Sequence, residues 1–310
     1  MKNKPTNKNQ AEAIELTPDA PVRNNYNWFP GHMVKAIREI KEKVKLVDIV
    51  LEIRDARAPL ASGNRMMDET LRQKSRLILL NKVNLADPKM IPLWEEWFKT
   101  QEEPFLFLDC FDKGAMKKAL ALARTIVEQK RKESNPDTYE PKVKLKLMII
   151  GLPNTGKSTI INQLANRVAT KTADRPGQTQ VQQWIVIDKD LDLLDTPGVM
   201  PTILAKEEHG LWLSALNAIP DEAFGEERPA RFIIEYLKDR NSKELKERYK
   251  LESMESSVEE IIEKIAVLRG CIRQKGLPDY ERVYKLILLD FRRGELGKVC
   301  FGVPPQIKES

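Results

Sequence analysis

A chain of 310 residues suggests about two domains and has interior enough for a substantial core. Apolar residues make up 41% and charged residues 32%, an ordinary soluble composition, and 52 Lys+Arg against 46 Asp+Glu give a formal charge of +6 that permits a nucleic-acid partner without establishing one. Cys110, Cys271 and Cys300 have neither metal-ligand spacing nor a disulfide framework, no apolar run is long enough to span a bilayer, and the N-terminus lacks the apolar core of a signal peptide, so a reducing cytoplasm is the expected location.

Residues 1–24 are rich in Lys, Asn, Thr and Pro without periodicity and are expected to form a disordered tail. Asn27-Trp28-Phe29-Pro30-Gly31-His32-Met33 then sets two aromatics before a Pro-Gly turn, leaving His32 either packed beneath them at a helix start or catalytic. Residues 33–44 carry Met33, Ile37, Ile40 and Val44 at helical spacing. Residues 47–53 predict a buried strand that ends in Arg54-Asp55-Ala56-Arg57-Ala58-Pro59, where Pro59 stops the element. A second strand over 75–80 runs into Asn81-Lys82-Val83-Asn84, which resembles the guanine-reading N-K-x-D motif except that Asn84 stands in place of the aspartate. A third strand over 105–108 precedes Asp109-Cys110-Phe111, a helix is predicted over 114–131, and 132–141 reads as a polar linker.

Gly151-Leu152-Pro153-Asn154-Thr155-Gly156-Lys157-Ser158-Thr159 fits the phosphate-cradling pattern G-x-x-x-x-G-K-[ST] at every fixed position. Residues 142–150 read as a strand entering a buried sheet, and residues 158–168 place Ile160, Ile161, Leu164 and Val168 at helical spacing, so the loop has the strand and helix its mechanism needs. Glycines let backbone N–H groups turn toward phosphates, the helix N-terminus adds its dipole, Lys157 reaches the β- and γ-phosphates and Ser158 ligates Mg²⁺. Beyond it, Asp174-Arg175-Pro176-Gly177-Gln178-Thr179 is either a Pro-Gly turn or a switch whose Thr179 completes the Mg²⁺ shell. Strands over 181–187 and 191–194 lead into Asp195-Thr196-Pro197-Gly198, an acid at a strand end followed by glycine, as in a Walker-B Mg²⁺ site.

After about residue 201 helical spacing dominates, over 211–219, 231–237, 258–268 and 280–291. Basic residues such as Arg248, Arg269, Arg273, Arg292 and Arg293 are interleaved with acids, so they form either a solvated face or a surface for RNA backbone.

Guanine-reading Asn81-Lys82 precedes the phosphate loop, the reverse of the usual order in GTPases; a circular permutation joined through 132–141 accounts for it. The permuted order, the Phe29-Pro30-Gly31-His32-Met33 segment, Asp55-Ala56-Arg57-Ala58-Pro59, the phosphate loop, Asp195-Thr196-Pro197-Gly198 and Arg269-Gly270-Cys271 together resemble the YlqF/RbgA family of circularly permuted bacterial GTPases. The resemblance covers about residues 25–303. It implies an α/β fold: a circularly permuted P-loop GTPase domain over 25–204, a mostly parallel sheet with helices on both faces, followed by a smaller all-helical RNA-binding domain over 205–310. It implies a GTPase that binds GTP/GDP and Mg²⁺, acting late in maturation of the large ribosomal subunit and stimulated by the particle. Expected partners are the large-subunit precursor and its ribosomal RNA, with no membrane, no DNA and no self-association beyond a monomer.

Residue by residue, the family implies His32 as the group that positions the attacking water, since Val199 stands where many GTPases carry a glutamine. Lys157 and Thr179 complete the catalytic set, and Asn154 resembles the asparagine of K⁺-activated GTPases. Asn81, Lys82, Asn84, Asp109 and Cys110 are expected around the base, Pro153 to Thr159, Thr179 and Gly198 around the phosphates, and Ser158, Thr179 and Asp195 around Mg²⁺. Asn84 and Gln178 depart from the family pattern. Two alternatives stay open: an RNA-binding assembly scaffold with a degenerate guanine site and little hydrolysis, and a permuted GTPase acting on the small subunit or another RNA.

Overall fold

The computed structural model describes residues 31–101, 103–134, 136, 144–165, 183–200 and 207–305. The tail expected over 1–24, the aromatics at 28 and 29, and Thr179 lie outside the described residues.

Apolar runs with few interruptions become six strands: β1 (Ile49–Asp55), β2 (Ser75–Asn81), β3 (Phe105–Phe107), β4 (Leu145–Gly151), β5 (Gln183–Asp188) and β6 (Leu191–Asp195). They form one sheet in the order β3-β2-β1-β4-β6-β5. Every neighbouring pair is parallel except the β5–β6 hairpin. β1 is buried along its whole length although it carries Glu52, Arg54 and Asp55. Those charges are paired where they are buried: Glu52 accepts from Arg54 Nε at 2.7 Å and from Arg76 Nη1 at 3.1 Å.

The period of two divides the strand side chains between two layers. On one face Ile49, Leu51 and Ile53 pack with Met116, Ala119, Ala123 and Val127 of α4 (Lys113–Ser134) and Ile160 and Ile161 of α5 (Lys157–Ala165). On the other, Val50, Met148 and Leu194 meet Ala36 and Ile40 of α1 (Gly31–Lys43) and Met67 and Leu71 of α2 (Arg65–Leu71). Trp94 and Phe98 of α3 (Ile91–Lys99) cover Ile78 and Leu80.

The remaining described chain is helical: α6 (Glu207–Ala215), α7 (Asp221–Phe224), α8 (Glu227–Asp239), α9 (Lys243–Arg248), α10 (Val258–Leu268) and α11 (Tyr280–Arg292). Ile233, Ile234 and Leu237 of α8, Ile261, Ile262 and Ile265 of α10, and Ile287, Leu288 and Phe291 of α11 form its core. Ala58, Leu152 and Met200 belong to that same core, so the helices close directly over the strand ends that carry the phosphate loop. α10 starts where sequence chemistry says it should: Ser257 and Glu260 form a reciprocal capping box.

Several expectations shift. α4 continues to Ser134, so the linker read from 132 begins three residues later at the earliest. The helix expected over 211–219 is α6, which starts at Glu207 and stops at Ala215; Asn217 then turns left-handed at φ 61°. Helices α2 and α3 were not predicted. Arg248 and Arg292 serve the fold rather than a free basic surface. Arg248 binds the buried Asp290 carboxylate through Nε at 2.9 Å and Nη2 at 2.7 Å, and Arg292 donates to the carbonyls of Ser214 and Ala215 and to Asp221.

Candidate functional site: a phosphate-loop crevice

From β1 the chain moves outward through β2 to β3, then returns to β4 on the other side of β1. This reversal opens a crevice at the carboxyl ends of β1 and β4, the place where open α/β sheets bind ligands. Gly151 ends β4 at φ 152°, and a Cβ there would stand 2.4 Å from the Ile53 carbonyl oxygen. Asn154 is left-handed at φ 56°. Gly156 takes φ 105°, and a Cβ there would meet Asn81 Nδ2 at 2.2 Å, so both glycines of the pattern are required by close backbone approach.

Pro153 and Thr155 are buried, Thr155 Oγ1 donates to the Leu152 carbonyl at 2.9 Å, and Ser158 and Thr159 are half-buried in the first turn of α5. Lys157 curls back over the loop, its Nζ donating to the Leu152 carbonyl at 2.8 Å. Burial lowers its pKa to about 8 against the opposing pull of Asp195. Gly198 passes close above: a Cβ there would lie 3.2 Å from Lys157 Nζ and 3.0 Å from the Pro153 nitrogen. Asp195 is buried at the end of β6, and the following Thr196 donates to the Ile149 carbonyl at 2.6 Å. A serine hydroxyl opening α5 and a carboxylate closing β6 are hard oxygen donors suited to Mg²⁺, which keeps most of its waters in such sites.

Asn81 holds the crevice together. Its Nδ2 donates to the Thr155 carbonyl at 2.9 Å and its Oδ1 accepts from Cys110 N at 3.0 Å, so one buried side chain joins β2, the phosphate loop and the segment after β3. Lys82 is left-handed at φ 63°, and its Nζ donates to the Asn154 carbonyl at 2.6 Å and meets Asp55 Oδ2 at 3.1 Å. Asn84 is exposed in the short 3₁₀ turn Val83–Leu85. Asp109 Oδ1 accepts from Phe111 N, which shapes the turn that presents Cys110; the Cys110 thiol is buried and burial pushes its pKa up.

Sequence reasoning passed over three contributors. Asp55 receives Arg57 through Nε at 2.9 Å and Nη2 at 2.8 Å. Burial would raise its pKa, but Arg57 and Lys82 outweigh burial and hold it well below the usual carboxylate range. Arg57 and Asp55 thus anchor Lys82. The signal was in the chain: two opposite charges at the end of an apolar strand. The third is Asn217, whose backbone carbonyl accepts from Asn154 Nδ2 at 2.8 Å and ties the phosphate loop to the helices. No residue type marks a carbonyl partner. His32 lies in the first turn of α1, and its side chain is outside the description, as is Thr179. α1 itself is seated beside the switch, because Ala36 and Ile40 share a cluster with Val199.

Residues 146–268 match the MMR_HSR1 family, described as a 50S ribosome-binding GTPase. The ribosome biogenesis GTPase A of Bacillus cereus is 37% identical over 282 residues, covering 91% of this chain and 95% of that protein. The chain belongs to the ribosome biogenesis GTPase A family. Two solved structures of YlqF from T. maritima, one GDP-bound and one GNP-bound, superpose with a TM-score of 0.64 at 30% identity. They cover 86% and 88% of this chain, and this chain covers 99% and 100% of theirs. Membership makes the chain a GTPase and gives the crevice its substrate class. It also accounts for the permuted order, since Asn81 of β2 reaches the loop after β4 from the N-terminal half of the chain. No helix among the described residues is long and apolar enough to cross a membrane.

Proposed function

We propose that this GTPase acts on the large ribosomal subunit late in its assembly, in the cytoplasm and as a monomer, and that the particle accelerates its hydrolysis of GTP. The observation that carries the reading is the direct tie between nucleotide crevice and helices. Asn154 of the phosphate loop donates to the Asn217 carbonyl, and Leu152 and Met200 sit in the helical core. A γ-phosphate that moves the chain after Gly198 therefore acts on packed helices through a short path, as switch segments do.

Within this reading Lys157 neutralises phosphate charge, Ser158, Thr179 and Asp195 hold Mg²⁺, and Asn154, oriented by Asn217, offers its amide oxygen to K⁺. His32, carried on α1, positions the attacking water, a role Val199 cannot fill because its side chain is in the core. Asn81, Lys82, Asn84 and the Asp109-Cys110 backbone surround the guanine. Residues 25–204 act as the GTPase unit and 205–310 as the helical unit. Mg²⁺, when bound by these residues, would supply positive charge that neutralises the phosphates.

Co-sedimentation with separated ribosomal subunits in the presence of a non-hydrolysable GTP analogue tests the assignment. The chain should pellet with large subunits and stay soluble with small ones. Pelleting with small subunits alone would overturn it.

A further inference from the structure

Much of the positive charge is left unused by the nucleotide crevice, and it gathers at the opposite end of the sheet. β1, β2, β4 and β6 begin there and α4 ends there. Hydrogen bonds and ion pairs show these residues to be neighbours. Lys74 Nζ donates to the Val47 carbonyl at 2.9 Å, Lys130 Nζ to the Gln73 carbonyl at 3.2 Å, and Arg124 to the Asp190 carbonyl at 3.3 Å. Arg131 pairs with Asp48 at 2.8 Å, and the same carboxylate accepts from the Lys146 backbone N–H. Lys144 pairs with Asp192 at 2.8 Å. Around this framework Lys45, Arg72, Lys132, Lys146 and Lys189 are exposed.

The balance is positive. Ten basic residues stand here against seven acids on the same segments, Glu42, Asp48, Glu128, Glu133, Asp188, Asp190 and Asp192, and ion pairs occupy Arg131 and Lys144 alone among the basic residues just named. Lys74, Lys130 and Arg124 bind carbonyls, which leaves their charge uncompensated. The helical part is different: residues 205–310 carry 19 Lys+Arg against 20 Asp+Glu. There Arg248 and Arg292 are engaged within the fold, and Arg273 pairs with Asp279 and lies near Glu281.

We propose that the end of the sheet where the strands begin is an RNA phosphate-binding face, by which the GTPase lies against ribosomal RNA while its nucleotide crevice points away. The inference rests on the proposed ribosomal partner and specifies the surface that partner meets. Clustered, uncompensated lysines on a rigid strand-and-helix framework suit a polyphosphate backbone, because each neutralised phosphate releases condensed counterions. No aromatic side chain appears among these residues, so shape and charge rather than base sequence would be read.

The full chain is titrated with a 20-base-pair RNA duplex over a salt series, and separately sedimented with large subunits. The test variant is Lys130→Glu/Lys132→Glu/Lys146→Glu, the control Lys238→Glu/Lys243→Glu/Lys246→Glu in the helical part. The test variant should bind the duplex at least ~10-fold more weakly, with a log–log salt slope shallower by about 2–3. The control should change less than about 2-fold by the same counting, and basal hydrolysis should be unchanged in both. If the glutamate variant loses basal hydrolysis, the corresponding Lys→Gln triple is read instead and should show a smaller loss of the same sign. Equal losses in test and control, or none in the test variant, would overturn the face. So would duplex binding too weak to detect beside tight binding to phosphatidylglycerol vesicles, which would assign the face to lipid. Failure of the unaltered chain to pellet with large subunits would instead overturn the ribosomal reading, whatever the duplex shows.

Discussion

Asn81→Ala removes the one side chain among the described residues that bonds both the phosphate loop and the segment after β3. Asn81 is fully buried, and its two partners, the Thr155 carbonyl and the Cys110 N–H, belong to residues that are themselves buried. Truncation leaves one acceptor and one donor without partners, each costing about 1–3 kcal/mol. The total is about 2–5 kcal/mol once partial relaxation is allowed for. Because Thr155 lies inside the loop, nucleotide affinity should also fall, by at least ~10-fold for each 1.4 kcal/mol of loop distortion. Urea unfolding of the nucleotide-free chain and titration with a fluorescent GDP read the two effects. Asn81→Asp separates hydrogen bonding from volume. It keeps an acceptor for Cys110 N but sets a carboxylate oxygen against the Thr155 carbonyl, so it should destabilise at least as much as alanine despite its equal shape. An Asn81→Asp chain as stable as the parent, or an Asn81→Ala chain within ~0.5 kcal/mol of it, would refute the reasoning, since such a change is what an uninvolved surface site gives.

Other outcomes follow from the same geometry. Asn84→Asp should tighten GTP about ten- to a hundredfold, because an aspartate accepts from both guanine N1–H and the exocyclic amine whereas asparagine presents a donor to that amine; unchanged affinity in a titration with GTP and XTP would mean Asn84 does not read the base. Lys157, with its pKa lowered by burial to about 8, must be an ammonium to bind phosphates. Binding therefore takes up a proton above pH 8: GDP affinity should be flat from about pH 6.5 to 7.5 and then fall toward tenfold per pH unit, and a flat calorimetric profile to pH 9.5 would contradict it. Exchanging K⁺ for Na⁺ at constant ionic strength should slow hydrolysis severalfold through the Asn154 site, and equal rates would remove that site. His32→Ala should lower particle-stimulated turnover by ~10²-fold with nucleotide binding nearly intact, and unchanged turnover would exclude it as the water-positioning group.

The strands were legible because a parallel sheet buried on both faces demands near-continuous apolar runs, and β2 and β4 supply them. α2 and α3 escaped notice for opposite reasons. α2 buries Met67 and Leu71 over a single short span, too little to establish a period, while α3 has Pro92 at its start and crowded aromatics that hide the Trp94 and Phe98 face. In the crevice, glycines and the phosphate-loop lysine announced themselves because few other residues satisfy those backbone angles and charges. The wiring did not. Asn217 acts through a carbonyl that every residue owns, and Arg292, read as a surface charge, is engaged by the carbonyls of buried Ser214 and Ala215 at the end of α6. Composition likewise gave the net charge but not its placement, which depends on which strand starts the topology brings together.

The most direct measurement is single-turnover hydrolysis of GTP by the full chain alone, with purified small subunits and with purified large-subunit particles, in K⁺ and Mg²⁺. The account predicts slow hydrolysis alone, no change with small subunits, and acceleration of at least ~10-fold with large-subunit particles, equivalent to about 1.4 kcal/mol of barrier. A rate that stays the same in all three conditions, or that rises with small subunits only, would contradict it.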